Sequence, residues 1–164
     1  MSLSRLRQLN RQLWLFLSLP PSHKSLTLAI AWHLARARLE LLHRPFKSIA
    51  SELGQVGCES GPQCRSLQPS YDPEFPLLLS GYVRRLAPLM PFQALCLVQA
   101  LAVARLLAPK GYAFTVYLGV RTGDSFEAHA WLRWGDTILC GAPQHLNYKV
   151  VTTFSNLPLA NGQQ

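Results

Sequence analysis

The chain has 164 residues, enough for one domain that buries a core without disulfide bonds. Sixteen Lys and Arg oppose eight Asp and Glu, for a formal net charge of +8, and the first fifty residues hold eight of these bases but only one acid, Glu40. Such a cationic surface attracts anionic partners, although solvated helix faces have the same composition. Aromatic residues do not interleave with the bases as a stacking platform requires, so we expect no nucleic-acid binding.

The amino-terminal part, residues 1–53, is predicted to be helical. Residues 4–19 resemble a signal peptide but lack a small-residue cleavage site, and we interpret them as an amphipathic helix. Apolar residues recur at spacings of three and four over 25–43 and predict a second helix, followed by a short helical turn over 46–53. No stretch has the ~20 apolar residues of a membrane span. We therefore expect a cytoplasmic protein with reduced thiols.

The rest of the chain divides into a loop and a core. Residues 54–76 are rich in Gly, Pro, Ser and Gln and are predicted to form a loop. The core, 77–164, begins with a helix over 77–86 and a second helix that starts at Cys96, after which the period changes from 3.6 to 2. Four strands are predicted, over 112–121, 126–134, 137–141 and 148–154. Helices followed by an antiparallel sheet indicate a single domain of the α+β class, with the Cys96 helix packed on the sheet.

Three of the four cysteines carry no functional prediction. Five residues separate Cys58 from Cys64, and no second ligand pair accompanies them, so neither a metal site nor a cofactor is expected. We interpret both as exposed thiols and Cys140, in mid-strand, as a buried inert thiol.

Cys96 and His129 form the candidate catalytic pair. A thiol is mostly protonated at neutral pH, and the amino terminus of a helix favours the reactive thiolate through its free N–H groups and its dipole. Cys96 lies at such a terminus, where its own N–H can stabilise an oxyanion. His129, in a predicted strand, is the candidate base, although a half-buried histidine with a satisfied ring is common in strands. Gln93 is a candidate oxyanion donor, but an ordinary loop residue is the better single explanation for it.

The sequence leaves the third catalytic role open. Asp136 is the only aspartate or glutamate after His129, but a two-residue turn at Asp136 puts it ~20 Å along the hairpin from the imidazole. The residues opposite His129, over 141–143, have no side chain that could orient the ring. The remaining candidates are Gln144, Asn147 and Glu127, and a dyad without a third residue is also compatible with the sequence.

Segments 96–121 and 126–141 resemble the leader peptidase family of lasso-peptide biosynthesis, and the helical segment 28–50 is similar in kind. The resemblance is carried by the Cys-Leu start of the helix, Leu118-Gly119-Val120 and Ala128-His129-Ala130-Trp131. It implies a papain and transglutaminase-like core with Cys96 and His129 in the catalytic roles. The family's third member, an Asp, would fall near Gly141, where this sequence departs from the pattern.

The resemblance also implies a function and partners. It implies a stand-alone cysteine peptidase that removes the leader from a ribosomally synthesised lasso precursor peptide. The implied partners are the precursor, a separate leader-recognition protein and a lactam-forming cyclase, because the first ninety residues lack the strands of a leader-binding winged-helix domain. The alternatives are a transamidating enzyme with the same dyad and a non-catalytic module that binds and delivers a peptide.

Overall fold

The computed structural model describes residues 20–61, 64–66, 71–123 and 125–157. The helix predicted over 4–19 lies outside the described residues. The described helices come first, and an antiparallel five-stranded sheet follows, which confirms the α+β prediction. None of the described helices has the length and hydropathy of a membrane span.

The helices and strands alternate little along the chain. The helices are α1 (Pro21–His43), α2 (Phe46–Ala50), α3 (Phe75–Leu86) and α4 (Cys96–Leu107), with 3-10 turns at Ser51–Leu53, Ala87–Leu89, Ala108–Lys110 and Gln144–Asn147. The strands are β1 (Gln55–Val56), β2 (Thr115–Arg121), β3 (Glu127–Trp134), β4 (Thr137–Cys140) and β5 (Lys149–Ser155). Their order in the sheet is β1-β5-β2-β3-β4, so the last strand inserts between the first two.

Both differences in the helices involve proline. Helix α1 begins at Pro21, four residues before the predicted start at 25, because proline at the first helical position gives up no hydrogen bond and already has a helical φ. Helix α3 begins at Phe75, inside the predicted loop, again with a proline in its first turn. In both helices, a proline in the first turn lies at the point where the helix begins.

The segment 54–76 is a loop only in part. Its first residues form β1, which pairs with β5 at the edge of the sheet; a two-residue strand is too short to show periodicity in the sequence. Farther along, the backbone N–H of buried Ser60 donates to the Thr115 Oγ1 at 2.8 Å, and the two hydroxyl oxygens lie 2.9 Å apart. The Ser60 carbonyl accepts from Arg133. This part of the segment is therefore fixed to the sheet.

Helix α4 lies at the centre of the core, between α1 and strand β3. It is apolar on most sides, as expected of a helix with neighbours on both faces. The predicted stripe of α1 supplies one wall, with Ile30, Leu34 and Ala37 fully buried, and Ala130 and Leu132 of β3 supply another. Because α4 is held in this way, its first residue has a fixed position relative to the sheet.

Candidate active site

Cys96 is the first residue of α4. Leu95 before it is extended, with φ −70° and ψ 178°, and the next residues turn into the helix. The thiol is partly exposed, whereas Val98 and Ala100 in the same turn are buried. The packing of α4 thus leaves the thiol at the open end of the helix, where the backbone N–H groups of the first turn have no partner within the helix.

His129 lies on β3 and shares a cleft of about 500 Å³ with Cys96. The two alanines that flank it on the strand differ in exposure. Ala130 is buried, but Ala128 is exposed and lines the cleft near the start of β3. The other residues around the cleft are Ala94, Leu95, Gln99, Gly141, Ala142, Gln144 and Tyr148.

The imidazole of His129 is held by a backbone carbonyl and two aromatic rings. Its Nε2 lies 2.8 Å from the carbonyl oxygen of Gly141. The Tyr148 ring is 4.9 Å away between centroids, and the Trp131 ring stacks at 6.0 Å. A carbonyl oxygen can only accept, so Nε2 carries the proton and Nδ1 of the neutral ring keeps its lone pair. This is the tautomer that a general base requires.

Gly141 has no room for a side chain. Its φ is +89°, and a Cβ there would lie 2.5 Å from the Trp131 Cβ and 2.6 Å from the Ala130 carbonyl oxygen. A carboxylate at this position would therefore need the backbone to move. Where the sequence departs from the predicted Cys-His-Asp pattern, the structure has a main-chain acceptor.

These elements are those of a known family. A model of the transglutaminase-like superfamily matches residues 26–153, a range that includes both Cys96 and His129. The chain belongs to the transglutaminase-like superfamily. Membership indicates a module of the cysteine-protease or transamidase type. No curated protein and no solved structure matched the chain significantly.

The two carboxylates that were candidates for the third role bind partners other than His129. Asp136 is exposed in the turn between β3 and β4, as predicted, and lies 3.9 Å from Arg65. Both carboxylate oxygens of Glu127 accept hydrogen bonds from Arg121, at 2.9 and 2.8 Å, and one of them also accepts from the Tyr148 hydroxyl at 2.9 Å. The hydrogen bonds from Arg121 and then Tyr148 lower the pKa of the Glu127 carboxyl. Glu127 therefore fixes the tyrosine that lies beside His129.

Of the three amide candidates, Gln144 and Gln93 line different depressions, and Asn147 lines neither of them. Gln144 lines the cleft of Cys96 and His129, whereas Asn147, in the same 3-10 turn, is exposed and outside the lining. Gln93 is also exposed and lines a neighbouring depression, on the far side of Ala94 and Leu95. Gln93 thus does not line the cleft of Cys96 and His129, and its role as an oxyanion donor stays a prediction.

Gln99 is a further polar residue of the cleft that was not predicted from the sequence. Its Nε2 donates to the Ala94 carbonyl at 2.7 Å, and the side chain lines both depressions. It lies three residues after Cys96, on the same side of the helix. A polar residue three positions after Cys96, in a helix that is otherwise mostly apolar, was the sequence feature that could have identified it. The bond fixes the chain just before the nucleophile candidate.

An aromatic layer supports the sheet behind His129. The rings of Tyr117 and Trp131 stack 5.3 Å apart with an interplanar angle of 1°. Gly119, paired with His129 across the strands, makes this possible, because a Cβ there would lie 2.8 Å from the Trp131 ring. Burial, with a hydrogen bond to Glu59, raises the pKa of Tyr117 to about 12. The layer is thus neutral and structural.

The remaining cysteines agree with their predicted roles in part. Cys140 is buried, and burial raises the pKa of its thiol to about 12, as expected of an inert thiol. Cys58 and Cys64 are only partly exposed, and the Cys58 Sγ lies 3.5 Å from the Gln55 side-chain oxygen. Among the described residues, no group of His, Cys, Asp and Glu has the arrangement of a metal site.

Proposed function

We propose that this chain is a cysteine peptidase that removes the leader from a ribosomally synthesised lasso precursor peptide. The observation that carries the proposal is the shared cleft of Cys96 and His129, with the imidazole oriented by the Gly141 carbonyl. Membership of the superfamily supports the general class. The leader-peptidase assignment is supported by the resemblance of the segments around Cys96 and His129.

In the proposed reaction Cys96 is the nucleophile, and His129 acts first as a base and then as an acid. Nδ1 of His129 takes the proton from the Cys96 Sγ, and the thiolate attacks the scissile carbonyl carbon. Backbone N–H groups at the start of α4 stabilise the oxyanion. The imidazolium then gives its proton to the leaving amine as the C–N bond breaks, which leaves a thioester on Cys96. Water, deprotonated by His129, attacks the thioester and releases the carboxylic acid and the free thiol.

The carbonyl of Gly141 has one consequence for this mechanism. It fixes the ring and the tautomer, as a carboxylate would, but it has only a partial charge. It therefore stabilises the imidazolium less than a carboxylate does. We expect a functional dyad whose rate depends strongly on a substrate held in place by its partners.

The proposed partners are the precursor peptide, a separate leader-recognition protein and a lactam-forming cyclase that acts on the released core. In this scheme the recognition protein delivers the scissile bond to the cleft. The cyclase consumes the new amino terminus that scission creates.

Two other functions use the same cleft. A transamidase would resolve the Cys96 thioester with an amine instead of water. A non-catalytic module would bind and deliver the precursor without cleaving it, and Gly141, at the expected position of a carboxylate, is the observation that favours it.

The test is mass spectrometry of the cognate precursor incubated with this protein and the recognition protein. Wild type, Cys96→Ala and His129→Ala are compared, with Cys64→Ala as the matched control. We expect scission at one bond by wild type and the control alone, with the mass of water added. Addition of an amine at the same bond would indicate transamidation. A wild type that binds the precursor and leaves it intact would contradict the peptidase.

A further inference from the structure

Another depression, distinct from the one that Gln93 lines, adjoins Cys96 and His129. Its volume is about 300 Å³, and it shares Cys96, Ala128 and His129 with the cleft. The rest of its lining is almost entirely apolar and comes from α2, α4, β2, β3 and β5. The principal contributors are Phe46, Leu97, Leu118, Val120 and Val151.

We propose that this depression, which we name the apolar subsite, binds an aliphatic or aromatic side chain on the acyl side of the scissile bond. The inference rests on the proposed function and specifies its substrate. An apolar side chain is stabilised there by the removal of its surface from water. A charged or amide side chain would lose its hydration without a hydrogen-bond partner.

The cleft and the apolar subsite are lined by different kinds of groups, and the difference suggests what each one binds. The cleft has Gln99, Gln144, the Tyr148 side chain and the backbone at Gly141, which suit a peptide main chain. The apolar subsite is open to solvent at Val151, a residue that is 64% exposed. Apolar surface left open beside reactive groups is typical of a binding site.

The acyl side follows from the positions of the two reactive residues. The amine that leaves must receive its proton from His129, whose ring partners Gly141 and Tyr148 both line the cleft. The leaving segment is therefore assigned to the cleft. The acyl segment stays attached to Cys96, and Leu97, the next residue, lines the apolar subsite.

The test uses peptidyl chloromethyl ketones, which carry only the acyl side and alkylate an active-site thiol. The residue next to the ketone is varied among Leu, Phe, Gly, Asp and Lys, and in a second set the residue before it is varied. Intact and peptide mass spectrometry gives the rate of alkylation at Cys96. In at least one set we expect Leu and Phe to react about 10-fold to 100-fold faster than Gly or Asp, the range for filling an apolar pocket.

A pair of valine variants links this preference to the apolar subsite. Val151→Asp places a carboxylate in the lining and should slow the Leu and Phe probes about tenfold while it speeds the Lys probe. Val150→Asp is the control, because Val150 is an exposed valine of the same strand that does not line the apolar subsite. Both substitutions are at exposed positions, and thermal unfolding checks that both variants fold. Each probe rate is divided by the iodoacetamide rate at Cys96 in the same variant, so that a general effect of the added charge on the thiol does not count as a side-chain preference.

The outcomes separate this inference from the proposed function. Alkylation at Cys96 that requires His129 but shows no side-chain preference in either set would overturn the apolar subsite and leave the peptidase standing. The same holds if Val151→Asp and Val150→Asp behave alike. Probes that alkylate Cys96 no faster than Cys58 would contradict the peptidase, and the apolar subsite with it.

Discussion

The two ends of α4 have opposite chemical character. At the carboxyl end of α4, Arg105 binds Glu40 of α1 and also, at 2.9 Å, Glu52 of the 3-10 turn Ser51–Leu53. Only 12% of the Arg105 side chain is exposed. At its amino end Cys96 opens into a cleft opposite His129. One end of the helix is closed by paired charges, and at the other a thiol and an imidazole line an open cleft.

This contrast shows that perturbed carboxyl groups mark structure here. Burial raises the pKa of Glu40, but the hydrogen bonds from Arg36 and Arg105 outweigh it, so that the pKa lies below its ordinary value. Perturbed groups often indicate functional sites, but ion pairs that hold elements together perturb them too. At the open end the imidazole binds a neutral carbonyl, and the cleft is recognised by geometry.

Among changes at the open end, Gly141→Ala should cause the largest loss of unfolding free energy. The new Cβ would meet Trp131 and the Ala130 carbonyl, at a φ that disfavours any side chain. Strain and overpacking together should cost about 2–3 kcal/mol of unfolding free energy. Displacement of the carbonyl from His129 should also slow alkylation of Cys96 about tenfold or more.

Gly57→Ala is the matched control for this change. Gly57 also has a positive φ, of 75°, but nothing lies within 4 Å of its added Cβ. Urea unfolding should show a loss of about 1 kcal/mol, with unchanged alkylation of Cys96. Equal effects of the two variants would mean that the contacts around Gly141 do not matter.

At the closed end the sharpest change is Arg105→Met. It removes the partner of two carboxylates, one of them largely buried, and should lower the unfolding free energy by about 2 kcal/mol. Arg36→Met, which removes an exposed pair with Glu40, is the control and should cost about 0.5 kcal/mol. Alkylation of Cys96 should not change in either. A loss of reactivity in Arg105→Met would break the separation of the two ends.

The closed end should also govern the acid sensitivity of the fold. Glu40 and Glu52 have lowered pKa values, because the bonds from Arg36, Arg44 and Arg105 outweigh the effect of burial. Their contribution to stability is complete above the unfolded carboxyl value of ~4.3 and is lost as the pH falls through the folded values. As the pH is lowered from 7 to 3, the midpoint temperature of thermal unfolding should therefore fall more steeply in wild type than in Arg105→Met. Parallel curves would contradict this assignment.

The smallest expected effect concerns Tyr148. Tyr148→Phe keeps the ring against His129 but removes the hydroxyl bond to Glu127. It should slow turnover and alkylation of Cys96 less than fivefold, at a cost of about 0.5–1 kcal/mol in positioning. Tyr148→Ala, which also removes the ring, should have the larger effect. If the two variants are equal, the hydroxyl carries the whole role.

The sequence predicted the elements that have strong local signals. The four strands over 112–154 and the start of a helix at Cys96 follow from a change of hydrophobic period, and all are present. The turn at Asp136 followed from Gly135 and its neighbours, and it correctly removed Asp136 from the neighbourhood of His129.

What the sequence could not predict depends on contacts between distant segments. The acceptor for His129 is a main-chain atom, and no residue type identifies a main-chain atom in advance. Arg105 meets Glu40 across 65 residues, and β1 is too short for a periodic signal. These features arise only when α1, α4 and the sheet pack together.

The most direct test of the account is the rate of Cys96 alkylation by iodoacetamide in wild type and in His129→Ala, followed from pH 5 to pH 9. Cys58 and Cys64 serve as internal references in the same peptide map. We expect Cys96 to react faster than both references near neutral pH, and we expect His129→Ala to remove this advantage without a change in thermal unfolding. A Cys96 that reacts like the references in both proteins would contradict a catalytic pair at the open end of α4.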